Sequence, residues 1–267
     1  MSIITISRGS YSRGKEVAEK LALALGYECI SREVILEASE YSGIPEAKLV
    51  RAIHDAPSFL ERYSYGKEKY VAHIRAAIMR HVQKDNVVYH GLAGHFLLQG
   101  ISHVLKVRIT ASMEDRIREE VRREHISPED ARRILEKDDE ERRKWSLALY
   151  GIDTWDSALY DMVLHIKTMT VEDAVDLISH NLGGPFATTP ESQASLDNLT
   201  LAAQVEAVLV GSFPGVRASA KEGTVFVSVR APLSQRESAA VKAETIAKEV
   251  PGVREINAHV VPIVTPD

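Results

Sequence analysis

The stretch Ile3-Ile-Thr-Ile-Ser-Arg-Gly-Ser-Tyr-Ser-Arg-Gly-Lys-Glu16 decides the reading of this chain. A short apolar run, Ile3 to Ile6, meets an amphipathic helix in which Val17, Leu21 and Leu25 recur at every fourth position, with Ala18 and Ala22 beside them. Gly26 is placed to end that helix. Between strand and helix, Gly9, four residues and Gly14-Lys15 match G-x-x-x-x-G-K. In such a loop the backbone N–H groups, here of Gly9, Ser10, Ser12, Arg13 and Gly14, wrap a phosphate chain while the lysine ammonium reaches its outer oxygens. The helix dipole and the free N–H groups of its first turn favour an anion at the same place. Where the pattern has Ser or Thr to hold Mg²⁺, this chain has Glu16. That departure leaves open the alternative of an ordinary strand-turn-helix rich in small polar residues.

The chain has 267 residues, more than a typical single domain, so two domains are expected. With 45% hydrophobic and 27% charged residues it has the composition of a soluble globular protein. A net charge of −5 argues against non-specific nucleic-acid binding by the whole molecule. Cys29, the only cysteine, can form no intramolecular disulfide, and no metal-ligand spacing surrounds it. No stretch approaches the roughly 18 apolar residues of a membrane span, and the N-terminus lacks the pattern of a signal peptide. A cytoplasmic protein without a transmembrane segment is expected.

Beyond the first helix, Tyr27 to Ile30 reads as a short extended segment, and helical spacing resumes at Ser31-Arg-Glu-Val-Ile-Leu36. Residues 44–84 read as mostly helix, with Ile74, Ile78 and Val82 on one face. Within them Asp55 to Lys69 lacks clean periodicity and is expected to be a mobile segment over a substrate. Tyr63, Tyr65 and Tyr70 are placed either to stack on a base or to pack in the core. Asn86 to His90 is a compact strand that breaks into Gly91-Leu-Ala-Gly94, and ligands of open α/β sheets bind at such C-terminal strand ends. His90 and His95 flank this turn at a spacing that fits no common metal pattern, so packing or solvent exposure is expected of them. Further strands are expected at Val104 to Thr110 and Met162 to Ile166. Helix starts follow them at Ser112/Asp115 and Thr170/Asp173. Residues 114–150 are dense in Arg and acids, which reads as a helix pair laced with short-range ion pairs, a few of whose arginines could clamp phosphates as a lid closes.

Strands alternating with helices predict an α/β protein, a three-layer parallel sheet with helices on both faces, over residues 1–182. Gly183 to Ser195, small, polar and carrying two prolines, reads as a linker. Residues 196–267 then read as a small α+β domain of order α-β-β-α-β. Its elements are an amphipathic helix from Leu196, strands near Val216 and Val225, a helix opened by a Ser234/Glu237 capping box, and a last strand from Val253 to Val264. It holds no cluster of acids and bases, so binding or assembly is expected there rather than catalysis.

Residues 1–182 resemble the cytidylate kinase-like family of P-loop nucleoside monophosphate kinases. The residues that carry the resemblance are Ile4 to Arg8, Gly14-Lys15 running into Glu16 to Ala22, Leu25-Gly26-Tyr27, Ser31 to Ile35, Asn86 to Gly91, Val107 to Ala111 with Arg116, Asp139-Glu-Glu-Arg142, and Leu159 to Leu164. The resemblance implies an ATP-dependent nucleoside monophosphate kinase that uses Mg²⁺ and a CMP-like acceptor. Lys15 and the loop would hold the donor phosphates. Arg142 would neutralise charge on the transferred group with Asp139 orienting it, and Arg32 and Arg116 would take the acceptor monophosphate. Magnesium would be held mainly by ATP and water, with Ser10 or Ser12 supplying a hydroxyl and Glu16 acting through water; no protein-built metal site is expected. Relatives commonly carry Asp where this chain has Ser31 and Arg where it has Leu92. With Glu16, these departures point to the alternative of a catalytically weakened nucleotide-binding regulatory protein. Residues 196–265 resemble a BON domain, which implies a binding or sensory module of unknown ligand or partner.

Overall fold

The computed structural model describes residues 2–10, 12–31, 33–45, 64–91 and 94–263. Its first part runs β1 (Ile3–Arg8), α1 (Gly14–Leu25), β2 (Glu28–Ile30), α2 (Glu33–Ser42), α3 (Ser64–Val82), β3 (Val87–His90), α4 (Gly94–Leu97), β4 (Val104–Ala111), α5 (Met113–Glu124), α6 (Pro128–Tyr150), β5 (Met162–Ile166) and α7 (Val171–His180). The strands pair in the order β2-β3-β1-β4-β5, every pair parallel, so the strand that feeds the glycine loop lies at the centre.

The pleat of these strands sorts the core into two layers. Ile3, Val87, Tyr89 and Val104 point to one face, where they meet Val34 and Ala38 of α2 and Ala77, Ile78 and Val82 of α3. Ile4, Ile6, Val88, Leu105, Val107 and Ile109 point to the other, against Val17, Ala18 and Leu21 of α1 and Ala174, Val175 and Ile178 of α7. Helices thus cover both faces, which is why β1 and β3 read as continuous apolar runs. Ile3, Ile4, Leu21 and Ile78 are fully buried, each contributing about 1.5–3 kcal/mol of transfer free energy.

Local chemistry sets the helix ends. Gly26 closes α1 at φ 68°, and its N–H reaches back to Ala22 and Leu23. Ser112, Ser127 and Thr170 each accept a hydrogen bond from the backbone N–H of the residue three positions on, opening α5, α6 and α7. The charged pair α5/α6 carries the expected ion pairs at spacings of three and four, including Arg122–Glu119 and Lys144–Glu140. The stretch from Asp55 falls largely outside the described residues; its end, from Ser64, is the start of α3. Tyr70 packs against the core.

The C-terminal part has the order α8 (Pro190–Leu209), β6 (Arg217–Lys221), β7 (Thr224–Ala231), α9 (Arg236–Lys248) and β8 (Glu255–Pro262). β6 pairs antiparallel and β8 parallel with the central β7. Two expectations are corrected here. Residues 190–195, assigned above to a linker, are the first turns of α8, because Thr189 and Ser192 form a capping box with Pro190 at the first helical position. The Ser234/Glu237 box does not form: Leu233–Gln235 is a short 3₁₀ turn, and α9 begins at Arg236 without a side-chain cap.

α8 is also less one-sided than an amphipathic helix. Leu196 and Ala203 belong to the core of the first sheet, while Leu201, Val205 and Leu209 belong to that of the second. Glu206, 5% exposed, sits between them. It accepts from Arg75 of α3 at 2.6 Å and from the backbone N–H of Ala218 on the edge strand β6 at 2.8 Å. One buried carboxylate therefore satisfies a partly buried cation and an edge-strand donor together. Among the described residues no helix is long and apolar enough to cross a membrane.

Replacing Glu206 with Ala leaves the Arg75 guanidinium and the Ala218 N–H without their acceptor. We expect Glu206→Ala to cost about 3–5 kcal/mol in urea unfolding, and Glu206→Leu, which fills the space, to cost no less, because Arg75 stays unpaired. Wild-type stability in both variants would show that the bridge carries no weight.

Candidate functional site

The loop after β1 is held close to the strand that precedes it. A Cβ built on Gly14 would stand 2.6 Å from the Cβ of Arg8, so the glycine permits a backbone approach that no other residue allows. Arg13 takes a left-handed conformation, φ 63° and ψ 9°, just before α1, and no side chain caps the helix there. In this α1 differs from α5, α6, α7 and α8, each capped by Ser or Thr, and its N-terminus stands at the C-terminal end of the central strand. Ser12 Oγ donates to the Gly9 carbonyl at 3.0 Å and tightens the turn. Tyr11 lies outside the described residues.

The side chains expected to act here are distributed as follows. Lys15 projects into solvent, its side chain 63% exposed, with Glu19 3.5 Å away. Glu16 is bracketed by cations: Arg13 donates to both its oxygens at 2.9 and 3.0 Å, and Lys20 stands at 3.1 Å. Partial burial pushes the Glu16 carboxyl up, but the bonds from Lys20 and Arg13 outweigh it and hold the group below its ordinary range. Glu16 is thus ionised, with its charge locally compensated. Arg32 and Leu92 lie outside the described residues.

Arg116 and Asp139 depart from expectation. Instead of presenting its guanidinium to an acceptor phosphate, Arg116 is buried against the loop. It donates through Nε to the Ser10 carbonyl at 2.7 Å and through Nη1 and Nη2 to the two oxygens of Asp139 at 2.7 and 2.9 Å. Asp139 accordingly holds Arg116 with both of its oxygens. Next to it, Ser10 Oγ donates to Asp138 at 3.1 Å, and Arg142 Nη1 to the Arg8 carbonyl at 3.2 Å. Helix α6 is therefore fastened across the loop by consecutive turns of side chains, 138–139 and 142. A planar, bidentate guanidinium suits this bracing.

A second polar constellation lies at the same end of the sheet and was not expected from the sequence. On β1 and β4 the face that begins with Ile3 and Val104 ends with Ser7 and Arg108, paired in register. Tyr160 Oη lies 3.0 Å from the Thr154 carbonyl, which can take its single proton, 3.2 Å from Ser7 Oγ and 3.4 Å from His95 Nε2. Arg108 donates to the Thr154 carbonyl and, at 3.3 Å, to Tyr160 Oη. Arg143 grips Asp153 with both oxygens engaged and stacks over Trp155, its Cζ 4.8 Å from the ring. Two arginines thereby pin the 151–156 loop at the mouth of the strands. The available signal was a cation at the C-terminal end of a strand in a sheet covered on both faces.

Parallel strands in the order β2-β3-β1-β4-β5, a glycine loop after the central strand and an arginine-bearing helix strapped over it are now in hand. The sequence profile of the cytidylate kinase-like family matches residues 3–168. The chain belongs to this family. A curated relative, the cytidylate kinase of Sulfolobus acidocaldarius, is 30% identical over 95 residues, 36% of this chain and 52% of the relative. The match thus spans about half the length of that relative. Among solved structures, an uncharacterised protein from Eubacterium ventriosum superposes with a TM-score of 0.52 at 18% identity, covering 68% of this chain and 98% of the other, a likeness of fold. Shikimate kinase from Bacteroides thetaiotaomicron, with a TM-score of 0.43 at 12% identity, covers 67% of this chain and 97% of its own. The family match ends before α7, so the C-terminal sheet lies outside it.

His95 yields a test of the second constellation. Burial, and then the nearby Arg108 and Lys106, push its pKa from 6.5 down to about 3. Between these values the unfolded chain holds a proton that the folded chain refuses, so stability is complete above pH 6.5 and falls as pH drops toward 3. From pH 7 to 4.5, wild type should lose about 2–3 kcal/mol more than His95→Gln. His73, lowered to about 4 chiefly by burial, adds a loss of the same sign to both proteins. Parallel pH profiles of urea stability would remove His95 from the account.

Proposed function

We propose that this chain is an ATP-dependent nucleoside monophosphate kinase of the cytidylate type, with a BON-like C-terminal unit, residues 196–267, that binds a ligand. The observation that carries the reading is the uncapped start of α1 behind Gly9 to Gly14 at the end of the central strand. Its residues fit a nucleotide phosphate chain: the loop N–H groups and Lys15 would hold it. Among the described residues no group of three or more His, Cys, Asp or Glu could hold a metal ion. A magnesium ion would be kept mainly by ATP and water, with Ser10, Ser12 and, through water, Glu16 as its neighbours. When bound, magnesium would supply charge neutralisation.

Phosphoryl transfer asks the protein chiefly for position and charge. Lys15, long and solvent-facing, has the reach to follow a phosphate as it moves. Arg142 is the cation on α6 that we assign to charge developing on the transferred group, and Asp139 acts by holding Arg116 as the brace that keeps α6 on the loop. Arg32 we retain for the acceptor phosphate. The Ser7, Arg108 and Tyr160 constellation supplies polar groups beside the acceptor. Cys29 as the chain's single cysteine accords with a cytoplasmic setting. One observation favours the weakened, regulatory alternative: an ionised carboxylate stands where the family pattern carries a hydroxyl.

Purified protein with ATP, Mg²⁺ and each common nucleoside monophosphate should release ADP, most rapidly with CMP. Lys15→Ala should weaken ATP binding at least tenfold, about 1.4 kcal/mol by calorimetry, since it deletes a charge-assisted contact. Arg142→Ala should lower kcat by about two orders of magnitude with ATP affinity nearly intact, because its contact strengthens in the transition state. Glu16→Thr should tighten MgATP binding if the carboxylate is a mere replacement of the hydroxyl; loss of activity would make Glu16 a working part of the site. Absence of turnover with every monophosphate, in wild type and Glu16→Thr alike, would leave the regulatory reading.

A further inference from the structure

The C-terminal sheet is covered on one side only. Val225, Val227, Val229 and Val260 point into the core shared with α8 and α9. The alternate residues face solvent, and register places them in rows. Ser219, Phe226 and Asn257 lie side by side across the three strands, and Arg217, Ser228 and His259 form the next row. These six line a trough of about 510 Å³, with Glu244 of α9 as the one carboxylate lining it among the described residues. Phe226, at its centre, is 50% exposed. Its phenyl ring is thus open to a ligand, with polar side chains on both neighbouring strands.

We infer that this sheet face is a binding site for a free nucleoside 5′-phosphate, its base stacked on Phe226 between Ser219 and Asn257 and its phosphate held by Arg217 and His259. The chemistry of each row matches one part of such a ligand. A phenyl face accepts any base by stacking, and the flanking hydroxyl and amide can reach the base's polar edge in its plane. Guanidinium and imidazole N–H groups, with the Ser228 hydroxyl between them, are phosphate donors. Rows two residues apart are separated by about 7 Å, comparable to the span from a nucleobase to its 5′-phosphate. A single nucleotide is favoured over a nucleic-acid strand because Phe226 is the one phenyl platform on this face among the described residues, and strand-binding surfaces stack successive bases. The net charge of −5 adds no long-range attraction for a polyanion. This inference rests on reading the C-terminal unit as a ligand-binding module and is independent of turnover at the loop.

Hydrogen–deuterium exchange of the full chain with CMP and with AMP tests it locally. Either nucleotide should protect peptides covering 217–231 and 255–262 in wild type and in Lys15→Ala alike. Phe226→Ala and Arg217→Ala should raise the midpoint of that protection at least tenfold, and Phe226→Tyr should retain it. Phe226 is exposed, so the variants keep the fold. A separate arm with ATP and Mg²⁺ reads protection at residues 8–17: its absence would remove nucleotide binding at the loop and leave the sheet signal with CMP and AMP untouched. The proposal is overturned if wild type gives no sheet protection, or if Phe226→Ala binds as wild type does. It is equally overturned if a uridine oligonucleotide or phosphatidylglycerol vesicles protect the sheet while free nucleotides do not.

Discussion

A guanidinium buried beneath a glycine loop governs the arrangement of the first sheet's functional end. Arg116 stands within 3.5 Å of where a Cβ on Gly9 would be, and it is bonded to the Ser10 carbonyl on one side and to Asp139 on the other. Removing such a charge from water is expensive unless its donors find acceptors, and here the loop carbonyl takes one N–H and a bidentate carboxylate takes two. The same contact fixes two things that phosphoryl transfer needs together: the shape of the loop and the height of α6 above it. Arg142, one turn further along α6, is thereby brought to the end of β1.

The second constraint is α8. A helix that serves two cores cannot show a single apolar stripe, and the buried Leu196, Ala203, Leu201 and Val205 lie around it accordingly. Glu206 then joins three elements at once: α3, which follows the segment outside the described residues, α8 itself, and β6, whose Ala218 lies between Arg217 and Ser219 of the open sheet face. The first and second sheets are in this way connected through a buried ion pair and a shared helix rather than through a tether. Burial of a carboxylate at 7% side-chain exposure is tolerable only because both of its oxygens are engaged.

Much of the candidate site was legible because its signals are short-range. The loop glycines, Lys15 and the four-residue spacing of α1 lie within one stretch, and the capping pairs Ser112/Asp115 and Thr170/Asp173 are separated by three residues. The departures were equally instructive. Arg116 and Asp139 were visible as residue types, but their pairing across 23 positions was not, and the Ser7, His95, Arg108 and Tyr160 cluster draws on four elements separated by up to 153 positions. His95, expected to pack or face water, packs, and it does so against a tyrosine that no local pattern singles out. At the linker the composition of Gly183 to Ser195 was real, but a Thr-Pro-x-Ser cap at 189–192 opened a helix that composition alone does not reveal.

By itself the sequence determined the alternation of strands and helices, the phosphate-loop geometry at the end of the first strand, and the α-β-β-α-β order of the C-terminal part. These follow from backbone periodicity and from neighbours within one helical turn, which every chain carries in its local order. Only the tertiary structure decided which cation each carboxylate would hold, which helix would serve two cores, and which strand face would be left open around Phe226. Those choices depend on desolvation, and the cost of burying a charge or leaving a ring in water is set by atoms that arrive from distant parts of the chain.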